Sequence, residues 1–418
     1  MRSPWWRVGW RNLGRNRRRS IIAATTLAVG YWSVVMLVGW TQGLVAEMIG
    51  NGTGILTGQL QVHAADFRPD ESVHATIGGR DGVDVAALVA NVEADPAVSA
   101  ATPRVYGGGL VSSGAATAAA VFLGVHPERE ARVSRILRSI DRGRVPQSGT
   151  REILIGSEMA RTLNVNPGDE VVVVAPAVDG SLGNDLFTVA GVYRSGLTDL
   201  DRTFVMLPID ALQSLMVFES NRVHEIAAAV PSPWDAEQAA TRLDATLQSG
   251  AAPLLVESWA TLRPEMVEYA QLTESLEGIL LAIVFGMAIF GIANTMLMAT
   301  YERRREFAVL LALGARPAGI LWSVLAEAVA LALVGLVVGV ATALPVLVWW
   351  HNAPPDLSWL FGEFTMLGAL IRPVLRVEYP WSVTVQAAFA MVLTAVVASV
   401  YPAIRAARLP PADTLAGR

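Results

Sequence analysis

The chain has 418 residues, of which 53% are hydrophobic and 17% charged, and its mean hydropathy is +0.43. This composition is too apolar for an ordinary soluble protein of this length, so a membrane protein is predicted. All 32 basic residues are arginine and there is no cysteine, which excludes a phosphate-binding loop that depends on lysine and a disulfide framework. The net charge of −5 conceals an uneven distribution of arginine.

The N-terminal region combines tryptophan with arginine. Trp6, Trp10 and Leu13 recur at helical spacing, while arginines line another face. This pattern predicts a basic helix at residues 1–19 that lies in the lipid headgroup layer. A simple cluster of charges that sets membrane orientation would also explain the arginines.

Four largely uncharged runs are long enough to cross about 30 Å of hydrocarbon, which needs about 20 residues in a helix. They predict spans at residues 20–46, 278–301, 317–350 and 381–404. The first run is too long for the apolar part of a signal peptide, so we expect it to be retained as a span.

Arginine clusters lie on one side of these spans: before the first, between the second and third, and after the fourth. Short cytoplasmic flanks are enriched in basic residues. Both termini, residues 302–316 and the tail at residues 405–418 are therefore predicted to be cytoplasmic. Residues 47–277 and the loop at residues 351–380 are predicted to lie outside.

The external segment, residues 47–277, is long enough for one or two globular units. Strand patterns alternate with helical ones, as in Gly58–Ala64, so a large α+β domain is predicted. The histidines of the chain are scattered without the spacing of metal ligands, and no nucleophile stands beside a base. We therefore predict no catalytic residue, metal site or cofactor site.

The segment between the second and third spans opens with five consecutive charged residues, Glu302 to Glu306. Four residues then recur at the spacing of one helical face: Phe307, Leu310, Leu311 and Gly314. Gly314 is placed to end this short helix and Pro317 to begin the next. An ordinary cytoplasmic loop would explain the arginines, whereas an apolar helix face with a defined stop favours docking to a cytoplasmic partner.

The third span contains one acidic residue, Glu327, near its cytoplasmic entrance. A charge within a span suggests function, although this position also favours a contact with the interface or with another helix. Gly335 and Gly339 form a pair of small residues four apart, which favours close helix packing.

The stretch NTMLMATYERRREFAVLLALGARPAGILWSVLAEAVALALVGLVVG, residues 294–339, resembles the core of the FtsX-like permease domain of ABC transporters. This family includes the lipoprotein-releasing permeases and the macrolide-export permease. Further segments resemble the family in the same order along the chain: WRNLGRNRRRS, GTGILTGQLQVHAADF, EILIGSEMARTLNVNPGDEVVVV, FTVAGVYRSG and YPAIRAARLPPADTL.

The resemblance implies a multi-pass protein of the bacterial inner membrane that pairs with a second copy or a paralogue and with two copies of a cytoplasmic ABC ATPase. ATP and magnesium would be bound by the ATPase, and this chain would be non-catalytic. Residues 302–316 would form the coupling helix seated on the ATPase, and ATP-driven closure would be transmitted to the external domain, a mode called mechanotransmission. The candidate coupling residues are Glu302, Arg303, Arg304, Arg305, Glu306, Phe307, Leu310, Leu311, Gly314 and Ala315.

The resemblance also implies porter-like βαβ units at about residues 58–127 and 215–260, with a β-rich insert at about 128–214. The chain starts almost at its first span and has no lysine, so we expect the ATPase to be a separate polypeptide. The lipoprotein-releasing branch is the most similar, which implies a lipoprotein substrate, a periplasmic carrier or adaptor and membrane lipid as partners, without nucleic acid. Efflux of toxins, peptides or antibiotics through a periplasmic adaptor and signalling to a cell-wall hydrolase are the alternatives.

Overall fold

The computed structural model describes residues 17–68, 72–79, 82–247, 253–362, 364–366, 369–371, 374–378 and 381–415. The chain divides into two compact units. The membrane unit consists of Met1–Val45, Ala270–Leu360 and Val374–Arg418, and the external unit of Ala46–Tyr269 and Phe361–Pro373. The predicted basic helix at residues 1–19 lies outside the described residues except for residues 17–19, which open the first helix.

The first described element is a long apolar helix, α1 (Arg17–Gly52), which contains the predicted span at residues 20–46. It continues past the predicted end of that span, where Met48 and Ile49 are fully buried. A π-helical turn, Thr53–Thr57, follows, and Gly58 closes it at a φ of +73°. Burial of apolar side chains beyond the span therefore extends the helix.

Twelve strands and seven short α-helices follow among the described residues between Leu60 and Leu262. In chain order they are β1 (Leu60–Ala64), β2 (Ile77–Gly78), α2 (Val85–Glu93), β3 (Ala100–Ser112), β4 (Thr117–Val125), α3 (Pro127–Val133), β5 (Ile140–Gly143), β6 (Glu152–Gly156), α4 (Ser157–Leu163), β7 (Glu170–Pro176), β8 (Leu182–Tyr193), α5 (Thr198–Thr203), β9 (Phe204–Pro208), α6 (Ile209–Leu215), β10 (Arg222–Val223), β11 (Glu225–Ala229), α7 (Ala236–Leu247), β12 (Leu254–Ser258) and α8 (Trp259–Leu262).

Ten of these strands form one sheet with the order β12-β1-β11-β3-β4-β9-β6-β8-β5, in which β7 pairs with β3 and β8. The strands of the predicted porter-like segments and of the predicted insert are therefore hydrogen-bonded together. The parallel pair β4–β9 and the antiparallel pair β3–β7 make these connections. The α+β class predicted from the alternating patterns is present in this unit.

The second long helix, α9 (Pro264–Glu302), begins well before the predicted span at residues 278–301. Pro264 is favourable at the first position of a helix, and the segment that follows it is rich in good helix formers such as glutamate. The charges of this segment marked it as external, but charge does not prevent it from being helical.

The remaining elements are α10 (Arg304–Ala312), α11 (Pro317–Asn352), α12 (Ser358–Phe361), β13 (Phe364–Met366), β14 (Ala369–Ile371), α13 (Trp381–Ala407) and α14 (Pro411–Leu415). In the described part of the chain, four helices are long and apolar enough to cross a membrane: α1, α9, α11 and α13. The predicted external loop, residues 351–380, contains α12 and a hairpin of β13 and β14. Its central residues, 361–373, belong to the external unit.

Candidate coupling site

A turn at Arg303, called the bend below, interrupts the helical backbone between α9 and α10. Arg303 separates the two helices, with a φ of −99° and a ψ of 11°. At the other end of α10, the N–H of Ala315 donates to the carbonyl of Leu310 and the N–H of Gly314 donates to that of Leu311, both at 3.0 Å. Gly314 has a φ of +88°, which completes a Schellman motif. The predicted stop at Gly314 is present, and α11 starts at Pro317 as expected.

The apolar residues of α10 lie on two different sides of the helix. Phe307 and Ala308 are buried in the membrane unit, with Phe307 only 2% exposed. Leu310 is 47% exposed, Val309 is also exposed, and Leu313, the first residue after α10, is 81% exposed. The stripe predicted from spacing assigned Phe307 and Leu310 to one docking face, and this assignment is wrong. An apolar stripe covers about 100° of the circumference of a helix. The other helices of the membrane unit cover only the part of this stripe that contains Phe307.

The charged residues of α10 have distinct environments. The Arg304 guanidinium lies 4.7 Å from the centre of the Tyr301 ring and donates a 3.1 Å hydrogen bond to its hydroxyl. Glu302, Arg305 and Glu306 are exposed. These exposed charges precede the outward apolar residues along the chain.

Arg303 contacts three groups at the bend. Its Nη1 donates to Glu327 Oε2 at 2.9 Å, and its Nε donates to Glu306 Oε2 at 3.1 Å. Its guanidinium also lies 5.1 Å from the centre of the Phe307 ring. The side chain of Glu327 is 7% exposed and that of Arg303 15%. The intramembrane acid noted in the sequence therefore has its partner at the candidate coupling site.

The C-terminal segment also reaches this site. α14 packs against α10, and Thr414 of α14 is buried. The predicted cytoplasmic tail at residues 405–418 was not recognised from the sequence as part of the site. The signals were present in YPAIRAARLPPADTL, because Pro411 is suited to begin a second short helix after the break at Leu409 and Pro410.

Gly335 and Gly339 of α11 lie against α1. A Cβ atom at Gly335 would lie 2.7 Å from Cβ of Leu27, and one at Gly339 would lie 2.9 Å from Cδ1 of Tyr31. Two helices can approach this closely only where one lacks side chains. The glycine pair predicted for close packing therefore has α1 as its neighbour.

A groove opens between α1, α9 and α13 in the membrane unit. Its lining is almost wholly apolar. The hydroxyls of Thr26 and Thr394 both donate to carbonyls of their own helices, Ile22 and Ala390. The lining residues are Thr26, Leu27, Gly30, Tyr31, Val284, Phe285, Ala288, Ile292, Met391 and Thr394.

The external unit contains a buried polar cluster but no grouping suited to a metal among its described residues. Arg104 is fully buried and donates two hydrogen bonds to Glu130, at 2.6 and 3.1 Å, and one to Glu225 at 3.1 Å. The Tyr106 hydroxyl also donates to Glu225, at 2.8 Å. Burial raises the pKa of Glu225, although the Arg104 charge opposes this effect.

His224 is buried beside this cluster in its neutral form. Its Nδ1 accepts from the backbone N–H of Tyr106 at 3.0 Å, and its Nε2 lies 3.2 Å from the carbonyl of Val73, to which it donates. Burial lowers the pKa of His224 to about 4. His63, also buried, places Nε2 2.8 Å from Glu257 Oε2. Both histidines are therefore held in the core of the unit by hydrogen bonds.

Comparison with known families matches two models along the chain. The MacB-like periplasmic core domain matches residues 20–246, and the FtsX-like permease C-terminal domain matches residues 278–411, which include α10 and end at the first residue of α14. The chain belongs to the family of FtsX-like permeases with a MacB-like periplasmic core domain. As a member it is a permease subunit of an ABC transporter in the inner membrane, and ATP hydrolysis in such a transporter is performed by a cytoplasmic ATPase partner.

Several relatives of this FtsX-like permease are named for a transport process. The chain is 25% identical to the lipoprotein-releasing system transmembrane protein LolC of Xylella fastidiosa, over 98% of this chain and 97% of the relative. It is 24% identical to LolE of the same system in Haemophilus influenzae, over 78% and 80%. It is 29% identical to the macrolide export ATP-binding/permease protein MacB of Nitrobacter winogradskyi, over 64% of this chain and 39% of that protein.

Proposed function

We propose that α10 seats a separate cytoplasmic ABC ATPase and that the resulting transporter releases lipoproteins from the inner membrane. The observation that carries the first part is the outward apolar face formed by Val309 and Leu310 of α10 and by Leu313 directly after it. Leu313 is 81% exposed although the opposite face of the same short helix is buried. An apolar face of this kind is suited to docking in a groove of a partner. The charged residues around it would favour one orientation of the ATPase.

The exposed surface of α9 supports a second permease chain in the complex. Four large apolar residues along this helix are between 51% and 79% exposed: Leu276, Ile283, Met287 and Phe290. Lipid would cover such a surface, and so would a second copy or a paralogue. Because each permease chain would present one α10, a pair of chains would seat two copies of the ATPase.

Two observations support a lipoprotein substrate. The similarity to LolC extends over nearly the full length of both chains, whereas that to MacB covers 39% of the relative. The groove between α1, α9 and α13 has an apolar lining, including Leu27, Val284 and Phe285, which suits the acyl chains of a lipid-modified protein. The same external unit would then face a periplasmic carrier.

The ATPase seat is tested by placing charge on its apolar face. We expect Leu310→Asp combined with Leu313→Asp to lower the amount of ATPase that co-purifies with the chain by at least about tenfold, because both carboxylates would be desolvated in the interface. Phe307→Asp would be a poor test, since Phe307 lies in the core of the membrane unit.

The matched control is Leu182→Asp, which makes the same change at a leucine that is 67% exposed in the external unit. It should leave ATPase recovery unchanged. Equal recovery of the ATPase with the α10 double variant and with the control, at equal membrane insertion, would rule out this face as the seat.

The substrate is tested by purifying the complex from its native membrane and identifying the bound protein by mass spectrometry. A triacylated lipoprotein that is released on addition of ATP is expected. The partial similarity to MacB favours efflux as the second candidate. Recovery of a periplasmic adaptor without lipoprotein, together with ATP hydrolysis that does not respond to added lipoprotein, would favour efflux and contradict lipoprotein release.

A further inference from the structure

We infer that Arg303 is a positioning residue that joins α10 to α11 through Glu327, so that the two helices move as one body. The inference rests on the proposed function because it concerns how movement of the seated helix reaches the membrane unit. Arg303 lies at the bend after α9, and Glu327 lies within the span formed by α11. Their 2.9 Å contact is an ion pair between the residue that precedes α10 and a residue of α11.

The covalent connection between α10 and α11 is poorly suited to transmit orientation. It consists of residues 313–316, and Gly314 within it adopts a φ of +88°. A short turn of this kind keeps the helix ends close together but leaves their relative rotation to side-chain contacts. The Arg303–Glu327 pair supplies such a contact at the opposite end of α10, at the bend.

The pair is held in a fixed geometry on both sides. On α10, the guanidinium lies over the Phe307 ring at 5.1 Å and also bonds Glu306. On α11, Glu327 lies between buried neighbours, Val324 and Ala328. A planar guanidinium that is stacked and hydrogen-bonded has few alternative rotamers. Rotation of α10 therefore cannot occur independently without breaking the contact with Glu327.

The two partners are not equivalent, and this asymmetry makes a test possible. Without Glu327, Arg303 would retain Glu306 as a partner at 3.1 Å. Without Arg303, Glu327 would lose a cation that contacts it in a site where its side chain is 7% exposed. Loss of the cation removes a charge-assisted hydrogen bond from a buried carboxylate, whereas loss of the carboxylate leaves an arginine that is still hydrogen-bonded and partly exposed. Arg303→Gln should therefore disturb the chain more than Glu327→Gln does.

The absence of cysteine from the chain allows a direct measurement of rigidity. Cysteines introduced at Ala312 on α10 and at Val337 on α11, both exposed, would carry spin labels in the full chain with its co-purified ATPase. With Arg303 intact, we expect one narrow distance distribution that ATP leaves unchanged. Arg303→Gln should broaden it, and Arg303→Lys should restore it only in part because lysine lacks the planar fork.

Transport provides the second measurement. Arg303→Gln should lower ATP-driven release on the order of tenfold, the range typical of a lost coupling between sites, while ATPase recovery stays normal. Pairing it with Glu327→Gln removes both charges and should restore protein yield but not release. Arg194→Gln, which removes an arginine of the external unit whose side chain is 64% exposed, is the control and should match the wild type.

A narrow, unchanged distance distribution in Arg303→Gln would overturn the inference, as would normal release by that variant. The inference would also be overturned if release fell only in proportion to protein yield and recovered fully in the double variant. The pair would then have a purely structural role. Failure of the wild-type chain to retain any ATPase would instead contradict the proposed function. The distances measured without ATP would still show whether Arg303 fixes the position of α10 relative to α11.

Discussion

Two arginines in this permease are paired with glutamates in buried surroundings, one in each unit. Arg104 in the external unit is fully enclosed, and two carboxylates and a tyrosine complete its cluster. Arg303 in the membrane unit lies at the edge of its bundle, with 15% of its side chain exposed. The first belongs to strands and a helix packed around one sheet, whereas the second connects separate helices at a bend.

This difference shows that burial of an ion pair does not by itself indicate its role. Arg104 is held within a hydrogen-bonded sheet in which β3 and β11 are direct neighbours. Its replacement should therefore lower the stability of the external unit. Arg303 bridges elements whose relative position no sheet fixes. Replacement of Arg303 should mainly change how α10 and α11 move relative to each other.

The largest effect on stability is expected at Arg104. Arg104→Leu would leave Glu130 and Glu225 buried without their cation and should lower the free energy of unfolding by about 3–5 kcal/mol. Thermal and denaturant unfolding of the full chain in detergent, followed by a signal from the external unit, would measure this. Arg194→Leu at an exposed surface ion pair is the control. A loss of stability at Arg104 as small as that at Arg194 would contradict the structural role given to Arg104 and its contrast with Arg303.

A somewhat smaller effect is expected from protonation of His224 next to the same cluster. The pKa of His224 is about 4 in the folded unit and about 6.5 in the unfolded chain. Between these two pH values, His224 is protonated in the unfolded chain but neutral in the folded unit. Stability should therefore fall by up to roughly 3 kcal/mol between pH 6.5 and pH 4. The measurement is the unfolding midpoint as a function of pH.

His224→Gln should flatten this pH dependence, whereas His351→Gln, at an exposed histidine of the membrane unit, should not change it. Identical slopes for the wild type and His224→Gln would show that other groups govern the acid sensitivity. The result would then weaken the view that the polar core of the external unit is sealed from water.

The smallest effect is expected where α11 meets α1. Gly335→Leu would force a side chain into the space occupied by Leu27 and should lower stability by about 1–3 kcal/mol, the usual cost of overpacking. Gly278→Leu on α9, where an added Cβ meets no neighbour, should cost little. If unfolding in detergent did not separate these variants, close helix approach would not be what holds the membrane unit together.

Much of the architecture could be predicted because it depends on local signals. The four spans follow from the length of the apolar runs, and the limits of α10 follow from Gly314 and Pro317. The extent of α1 and α9 beyond the spans could not be predicted in the same way. Hydropathy marks where a helix lies in lipid, but a helix continues into water wherever its residues favour helix or are buried, as Met48 and Ile49 are.

The candidate coupling site was predictable in location but not in orientation. Spacing placed Phe307 and Leu310 on one side of a helix, and the folded chain buries the first and exposes the second. Periodicity describes a helix in isolation and does not say which part of an apolar stripe the rest of the chain will cover. For the same reason, α14 could be expected as a helix but not as the neighbour of α10.

The sequence by itself determined that this protein crosses the membrane, which of its segments are apolar enough to span it, and that a short charged helix separates two of the spans. These properties depend on residues close together in the chain. Only the tertiary structure decided that Glu327 pairs with Arg303, that Gly335 lies on Leu27 and that Leu313 remains exposed. Each of these contacts joins residues whose meeting depends on the packing of the whole bundle, which local patterns do not encode.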